Sequence, residues 1–348
     1  MRLVVTGGGT GGHVFPALEI AKAARERGAF VAYFGSRRGQ EGDASERNDF
    51  PFVGFGSEPI YSVRSPRGWL GLARALNSAR LAKRELKAIG ADVVFSTGGY
   101  SAAPVVQAAR SLGIPYVIHE ANSVPGRSNR LFVKEAAAFT CVFRHTKNLY
   151  PGAVRTGQPI RAELRAAAAK GGTRRPLVTV IGGSQGSAFL NRTVPAAAAL
   201  MKAPAHFLHA TGPKQFDEFR ATELPKSYEL RPFIEADELA KAYGEALVAI
   251  GRSGGTLAEY AVFRLPSVLV PLPTSADDHQ LHNAKEFVEM GAATLLSEAT
   301  TTPQAIASAL EGWLADEPRR RKAAEALAAW DMPDATATIT DVVMGAAR

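Results

Sequence analysis

The sequence predicts an α/β protein of two domains, each built on a parallel sheet, with the sheet edges facing a cleft. Three observations predict it. First, a short β-branched run leads into a glycine turn twice. Residues 3–6 run into Gly7-Gly8-Gly9-Thr10-Gly11-Gly12-His13, and residues 177–181 run into Gly182-Gly183-Ser184-Gln185-Gly186-Ser187. Each continues with helical spacing, the strand–turn–helix opening of a nucleotide-binding, Rossmann-like domain. Glycine lets backbone N–H groups approach a phosphate, and the helix N-terminus adds partial positive charge. Second, strands alternate with helical segments along both halves, which implies parallel sheets with crossover helices. Third, 348 residues are enough for two such domains.

The elements follow in order. The first half reads as a helix over 16–27, a strand over 31–34, a helix over 70–89, and strands over 93–96 and 116–119, the last primed by Gly113-Ile114-Pro115. The second half reads as strands over 177–181, 206–210, 247–250 and 267–270, with helices over 191–201, 257–263 and 283–290. Two further glycine turns, Thr97-Gly98-Gly99-Tyr100 and Gly251-Arg252-Ser253-Gly254-Gly255-Thr256, also follow strands. Parallel strands deliver their loops to one sheet edge, so these turns converge with the openings on one ligand crevice. The hinge falls near 157–176, with 165–176 read as a linker or variable loop from its alanine run and Gly171-Gly172. The expected division is 1–160 and 161–332, with a helical tail, 333–348, packing back on the first domain.

A hydrophobic fraction of 46% and a mean hydropathy of -0.06 fit a soluble protein with real cores. No apolar run approaches the roughly 20 residues needed to cross a bilayer, and the apolar start is too short for a signal segment. The single cysteine, Cys141, excludes an intramolecular disulfide and fits a reducing cytosol. Its neighbours Thr140 and Val142 favour a buried thiol over a nucleophile. The net charge of +8 is uneven: residues 1–160 carry 21 Lys+Arg against 11 Asp+Glu, and the remainder 20 against 22. An anionic ligand, a membrane surface or nucleic acid is therefore expected on the first domain.

Several constellations carry chemistry. The first opening matches G-x-G-x-x-G, but the second strand ends in Gly35-Ser36-Arg37-Arg38, with no acid to hold a ribose. NAD is disfavoured; the arginines leave NADP open, and a turn serving packing alone is the plain alternative. His13, at the start of the first helix, is placed as a base, against a helix-capping role. His119-Glu120-Ala121-Asn122 ends a strand, where polar residues face ligand or form a structural turn. Residues 254–259 open a helix with free N–H groups for a diphosphate, and Glu259 one turn in can accept from ribose hydroxyls. Its alternative is ordinary acid placement at a helix start. Asp277-Asp278-His279-Gln280 reads as helix capping with ligand contacts from Gln280, not as a metal site. No P-loop is present. Residues 64–87 place Arg64, Arg67, Arg74 and Arg80 among Trp69, Leu70, Leu72 and Leu76. That pattern describes an interfacial membrane-docking segment, or else an amphipathic helix with its apolar side in the core. Nucleic acid fits less well, because Trp69 is the segment's only stacking aromatic.

Gly8-Gly9-Thr10-Gly11-Gly12-His13-Val14-Phe15-Pro16, Gly98-Gly99-Tyr100, His119-Glu120-Ala121-Asn122, Gly157-Gln158-Pro159-Ile160-Arg161, Gly182-Gly183-Ser184-Gln185-Gly186, Phe233-Ile234, the 254–259 turn and His279-Gln280-Leu281-His282-Asn283-Ala284 occur in this order. Together they resemble the bacterial peptidoglycan N-acetylglucosaminyltransferases, over almost the whole chain. The resemblance implies the GT-B fold, two Rossmann-like domains with the active site between them. It implies transfer of GlcNAc from UDP-GlcNAc to the 4-hydroxyl of a lipid-linked muramyl-pentapeptide. The displacement would invert the sugar and need no metal or cofactor. The enzyme would act peripherally at an anionic membrane surface, the cytoplasmic face of the plasma membrane, with no nucleic-acid partner. His13 would be the base, with Glu120 beside it in the catalytic set. Thr10, Gly11, Gly12 and Asn122 would border the donor. Arg161 and Ser184 would assist, Ile234 would lie by the uracil, and Gln280 would hold the sugar. Gly254, Gly255 and Thr256 would meet the diphosphate, Leu257 and Ala258 would belong to the same substrate-binding segment, and Glu259 would hold the ribose. Ala121 stands where the family often has Gln, and Gln158 replaces the usual Asn. The rivals are a UDP-sugar 2-epimerase of the same architecture, an NADP oxidoreductase and a non-catalytic sugar-nucleotide-binding module.

Overall fold

The computed structural model describes residues 1–57, 66–220 and 224–347. The chain divides into two compact units: unit 1 is Met1–Arg161 with Asp334–Arg348, and unit 2 is Ala162–Pro333.

Unit 1 is built on β1 (Arg2–Thr6), β2 (Phe30–Ser36), β3 (Phe52–Phe55), β4 (Val93–Ser96), β5 (Tyr116–Glu120), β6 (Ala138–Cys141) and β7 (Val154–Arg155). They lie in the order β3-β2-β1-β4-β5-β6-β7, all parallel. β1 is central, with Thr6 opposite both Phe34 and Ser96. The strand order reverses between β1 and β4, so the loops after these two strands are neighbours. Alternation along β1 sends Leu3 and Val5 to one face and Val4 to the other. The first face is covered by the helix Gly11–Glu26 and by Ile339 and Val343 of the helix Ala335–Ala346. The second is covered by Ala82, Leu86, Val105 and Ala109 of the helices Pro66–Ile89 and Ala103–Leu112. Both faces are dry, which is why the strands read as unbroken apolar runs. An Arg27–Asp341 ion pair fastens the tail helix to the first helix. Cys141 is fully buried, as its apolar neighbours indicate.

Unit 2 repeats the plan with β8 (Arg175–Ile181), β9 (His206–Ala210), β10 (Tyr228–Arg231), β11 (Ala246–Gly251), β12 (Ser267–Leu269) and β13 (Ala293–Leu295). Their order is β10-β9-β8-β11-β12-β13, again all parallel, and the reversal falls between β8 and β11. The helix Ala188–Leu200 starts at Ser187, whose Oγ accepts from the Leu190 N–H at 3.3 Å.

One expectation is corrected. The stretch 165–176 is no linker: the helix Ala162–Lys170 occupies its first part, and β8 begins at Arg175. The alanines that looked featureless are the strongest helix formers, and Leu164 buries against the unit. Among the described residues no helix is long and apolar enough to cross a membrane.

Candidate active site

In unit 1 the two glycine turns touch. The Gly8 N–H donates to Gly98 O at 3.2 Å, and a Cβ on Gly99 would lie 2.2 Å from Gly8 O. Only glycine allows that approach of two backbones. The turn passes through Gly9 at φ +90 and opens the helix Gly11–Glu26 from an extended Thr10, with no capping side chain and no acid in the first turn. Gly11, Gly12 and His13 therefore form the first turn of a helix that carries the positive end of its dipole uncompensated. His13 is half-buried, and its Nδ1 lies 2.8 Å from Thr97 O. Thr97 Oγ1 donates back to His13 O at 2.8 Å.

Of the polar quartet at the end of β5, expected to face a ligand or form a structural turn, the first two side chains are buried. His119 is fully buried, with Nδ1 3.0 Å from Thr140 Oγ1 and Nε2 3.3 Å from Gln158 Oε1. Burial pulls its imidazole down to about 4, so it stays neutral. Glu120 is also buried, and both carboxylate oxygens are engaged. Oε1 accepts from the Asn122 N–H (2.9 Å) and Asn122 Nδ2 (3.2 Å). Oε2 accepts from the Gly126 N–H (3.0 Å) and Asn129 Nδ2 (2.8 Å). Burial raises its pKa, against the lowering by these donors. This geometry shapes the loop rather than offering an oxygen to an acceptor. Of the quartet, Asn122 alone is more than marginally exposed. Arg161 belongs to unit 1, its guanidinium 5.3 Å from the centre of the Phe15 ring. Glu41 carries no motif that marks it in the sequence. It is fully buried, and a Cβ on Gly8 would lie 1.6 Å from its Oε1.

In unit 2 the turns after β8 and β11 are likewise adjacent, with the Arg252 N–H donating to Ile181 O at 3.2 Å. The β11 turn is pinned from below. Ser253 Oγ donates to Gln280 O (2.7 Å), Asn283 Nδ2 donates to Ser253 O (2.9 Å), and Gln280 Oε1 accepts from the Leu272 N–H (2.9 Å). These bonds bring Gln280 to the foot of the turn that bears Gly254, Gly255 and Thr256. Arg252 reinforces the arrangement through Val270 O (2.9 Å), Pro271 O (3.1 Å) and Glu298 (2.5 Å). Glu259 Oε2 accepts from the Tyr243 hydroxyl at 3.1 Å. Ser184 is half-buried in the β8 turn; Ile234 is buried, while its neighbour Phe233 is exposed.

Two details differ from expectation here. Leu257 and Ala258 turn their side chains into the core, and their N–H groups donate to Gly254 O and Gly255 O, both at 3.2 Å. The tight first turn of the helix Thr256–Val262 uses these donors itself. Asp278 precedes the helix His279–Glu289 but gives no side-chain cap; Asp277 and Asp278 both sit at φ 51. A left-handed residue there cannot aim its carboxylate at the N2 or N3 amide, which needs extended backbone at the cap.

The helix Pro66–Ile89 exposes Trp69 (64%), Leu70 (52%) and Leu76 (54%), alongside exposed Arg74 and Arg80; Leu72 is half-buried. Arg64 lies outside the described residues, and of Arg67 only the helical backbone is described.

Two doubly wound units, each with glycine turns where the strand order reverses, make up the GT-B plan of glycosyltransferases. Comparison with known proteins agrees. A model of the glycosyltransferase family 28 N-terminal domain matches residues 3–140, and one of the family's C-terminal domain matches 177–339. The chain belongs to glycosyltransferase family 28. Among curated relatives, one from Symbiobacterium thermophilum is 34% identical, over 100% of this chain and 97% of that protein. One from Alkalilimnicola ehrlichii is 36% identical, over 100% and 99%. Both are UDP-N-acetylglucosamine--N-acetylmuramyl-(pentapeptide) pyrophosphoryl-undecaprenol N-acetylglucosamine transferases. The crystal structure of Acinetobacter baumannii MurG superposes with a TM-score of 0.77 at 29% identity, covering 99% of each chain. The calicheamicin glycosyltransferase CalG4, at 16% identity and a TM-score of 0.72, shares the fold.

Proposed function

We propose that this enzyme transfers N-acetylglucosamine from UDP-N-acetylglucosamine to the 4-hydroxyl of the muramyl sugar in a pentapeptide-bearing, pyrophosphoryl-undecaprenol-linked acceptor. One observation carries the reading. A single chain holds a histidine-bearing glycine opening in unit 1 and a second glycine turn followed by an acid in unit 2. Relatives matching it end to end are named for this transfer.

Unit 2 binds the donor. The turn at Gly254, Gly255 and Thr256 receives the diphosphate, Glu259 holds the ribose, Ile234 borders the uracil, and Gln280 holds the sugar with Ser184 assisting. The helix N-terminus stabilises the charge that grows on the leaving diphosphate. Unit 1 serves the acceptor. His13 takes the hydroxyl proton as the oxygen attacks C1 of the donor sugar, the C1–O bond to UDP breaks, and the sugar inverts. Thr10, Gly11, Gly12 and Asn122 border the donor from unit 1, and Arg161 assists its binding. Glu120 acts by holding Asn122 and its loop. Trp69, Leu70 and Leu76, with Arg74 and Arg80 between and beyond them, dock unit 1 on an anionic membrane as a peripheral protein at the cytoplasmic face.

The test is to supply UDP-GlcNAc labelled in the sugar, with and without a lipid-linked muramyl-pentapeptide. Label appearing in the lipid only when acceptor is present supports transfer. Epimerised sugar nucleotide formed without acceptor contradicts it.

A further inference from the structure

We propose that Thr97 is a positioning residue for the transfer: it fixes the orientation and tautomer of the His13 imidazole. The inference rests on reading His13 as the base. Two contacts run between the same pair of residues. His13 Nδ1 lies 2.8 Å from Thr97 O, and Thr97 Oγ1 donates to His13 O at 2.8 Å. A carbonyl oxygen only accepts, so the hydrogen in the first contact sits on Nδ1. In the neutral ring Nε2 then carries the lone pair, and Nε2 is the nitrogen that takes a proton. The second contact ties the backbone of the same residue, so ring and main chain are held by one partner.

That partner is itself fixed. Thr97 is fully buried, and its N–H donates to Thr6 O at 3.0 Å, which anchors it to the central strand of the sheet. The site also needs a glycine in the opposite turn. A Cβ on Gly7 would lie 1.8 Å from Thr97 Oγ1 and 3.1 Å from its Cβ. The first glycine of the opening is therefore the room in which the threonine hydroxyl stands. In many enzymes a carboxylate orients the catalytic histidine. Here a carbonyl does so without adding a full charge, and the hydroxyl fixes the carbonyl's own residue against the helix.

The experiment uses the full-length enzyme. Thr97→Val keeps the shape and the carbonyl and removes the hydroxyl. Transfer to a lipid-linked muramyl-pentapeptide gives kcat, calorimetry gives the UDP-GlcNAc Kd, and nitrogen-15 NMR of histidine-labelled protein gives the His13 tautomer, assigned with His13→Gln. The wild type should show hydrogen on Nδ1. Thr97→Val should lower kcat about ten-fold or more, since misorientation of a catalytic group costs rate rather than binding, with the donor Kd unchanged and a second tautomer appearing. Thr97→Ser should restore both. Gly7→Ala must displace the hydroxyl, so it should reproduce the kcat loss. Wild-type kcat and tautomer in Thr97→Val, hydrogen on Nε2 in the wild type, or no rescue by Thr97→Ser overturns the proposal. An inactive His13→Gln beside a fully active Thr97→Val sinks the positioning role alone. A fully active His13→Gln sinks the base assignment and the positioning role with it.

Discussion

Tyr243 donates its phenolic hydroxyl to Oε2 of Glu259 at 3.1 Å, joining the helix Ala236–Glu245 to the helix Thr256–Val262. The phenol is held in place by rings. Tyr260 stands edge-on to it at 5.6 Å, and Phe263 is tilted against it at 5.4 Å. The proposed ribose-binding carboxylate is thus aimed by the aromatic core of unit 2. Tyr243→Phe keeps the packing and removes one donor to a charged group. UDP-GlcNAc should bind several-fold more weakly, a loss of about 1–2 kcal/mol, with a near-normal unfolding midpoint. Calorimetric titration of both proteins checks this, and an unchanged Kd removes Tyr243 from the account.

Glu120 offers a stability prediction. Asn129→Ala deletes the 2.8 Å bond to Oε2 and leaves a buried carboxylate oxygen with one donor, the Gly126 N–H. The expected cost is about 1–3 kcal/mol, read as a lower urea midpoint. Glu120→Gln introduces an NH2 that meets donors where an acceptor is needed, so it should cost at least as much. A midpoint unmoved in both variants would show that the loop is held by something else.

The buried histidines set a pH dependence. Burial holds His119 at about 4 against its ordinary 6.5. The folded pKa lies below the unfolded one, so the unfolded chain takes up the proton first as pH falls. The stability involved is complete above about 6.5 and is lost on descending to about 4, on the order of 3 kcal/mol in all. Glu120, with its pKa raised by burial, has the opposite slope from its ordinary carboxylate value upward, and His209, pulled by burial to about 3, has the same slope as His119 in unit 2. Comparing wild type with His119→Gln isolates the effect. Urea unfolding at about pH 7 and about pH 5 should show a larger loss in the wild type. Equal losses would contradict it.

The exposed side chains of the helix Pro66–Ile89 predict salt-sensitive membrane binding. Trp69→Ala with Leu76→Ala should weaken binding to phosphatidylglycerol vesicles by roughly ten-fold or more, given about 1.5–3 kcal/mol for a fully buried large apolar side chain. Transfer to a soluble acceptor analogue should be unaffected. Vesicle co-sedimentation unchanged by the pair would leave that face without its proposed role.

The parts of the fold legible in the sequence were those with local signals. β4 and β9 match their sequence reading residue for residue, because each is a buried run ended by a turn. β3, β6, β7, β10 and β13 escaped notice; each is two to four residues long, too short for a strand pattern to stand out. The helix Ala162–Lys170 was hidden by its own composition, alanines without an apolar stripe. At the site, the glycine openings and His13 were visible because the backbone chemistry there demands particular residue types. Thr97 and Tyr243 were not. Thr97 acts through two bonds to a residue 84 positions away and Tyr243 through one to a residue 16 positions away, and neither type is unusual where it stands. The quartet at the end of β5 was ambiguous for the opposite reason. Polar residues at a strand end suggest a ligand or a structural turn, and inside the unit His119 meets Thr140 and Gln158 while Glu120 meets Asn122, Gly126 and Asn129.

The central claim is that unit 2 grips the nucleotide sugar through the turn after β11. A crystal of the full-length protein soaked with UDP-GlcNAc tests it most directly. The account predicts density for the diphosphate against the backbone of Gly254, Gly255 and Thr256, with the ribose hydroxyls on Glu259. Nucleotide seated instead on the opening at Gly9 to Gly12 of unit 1, with the β11 turn empty, would contradict it.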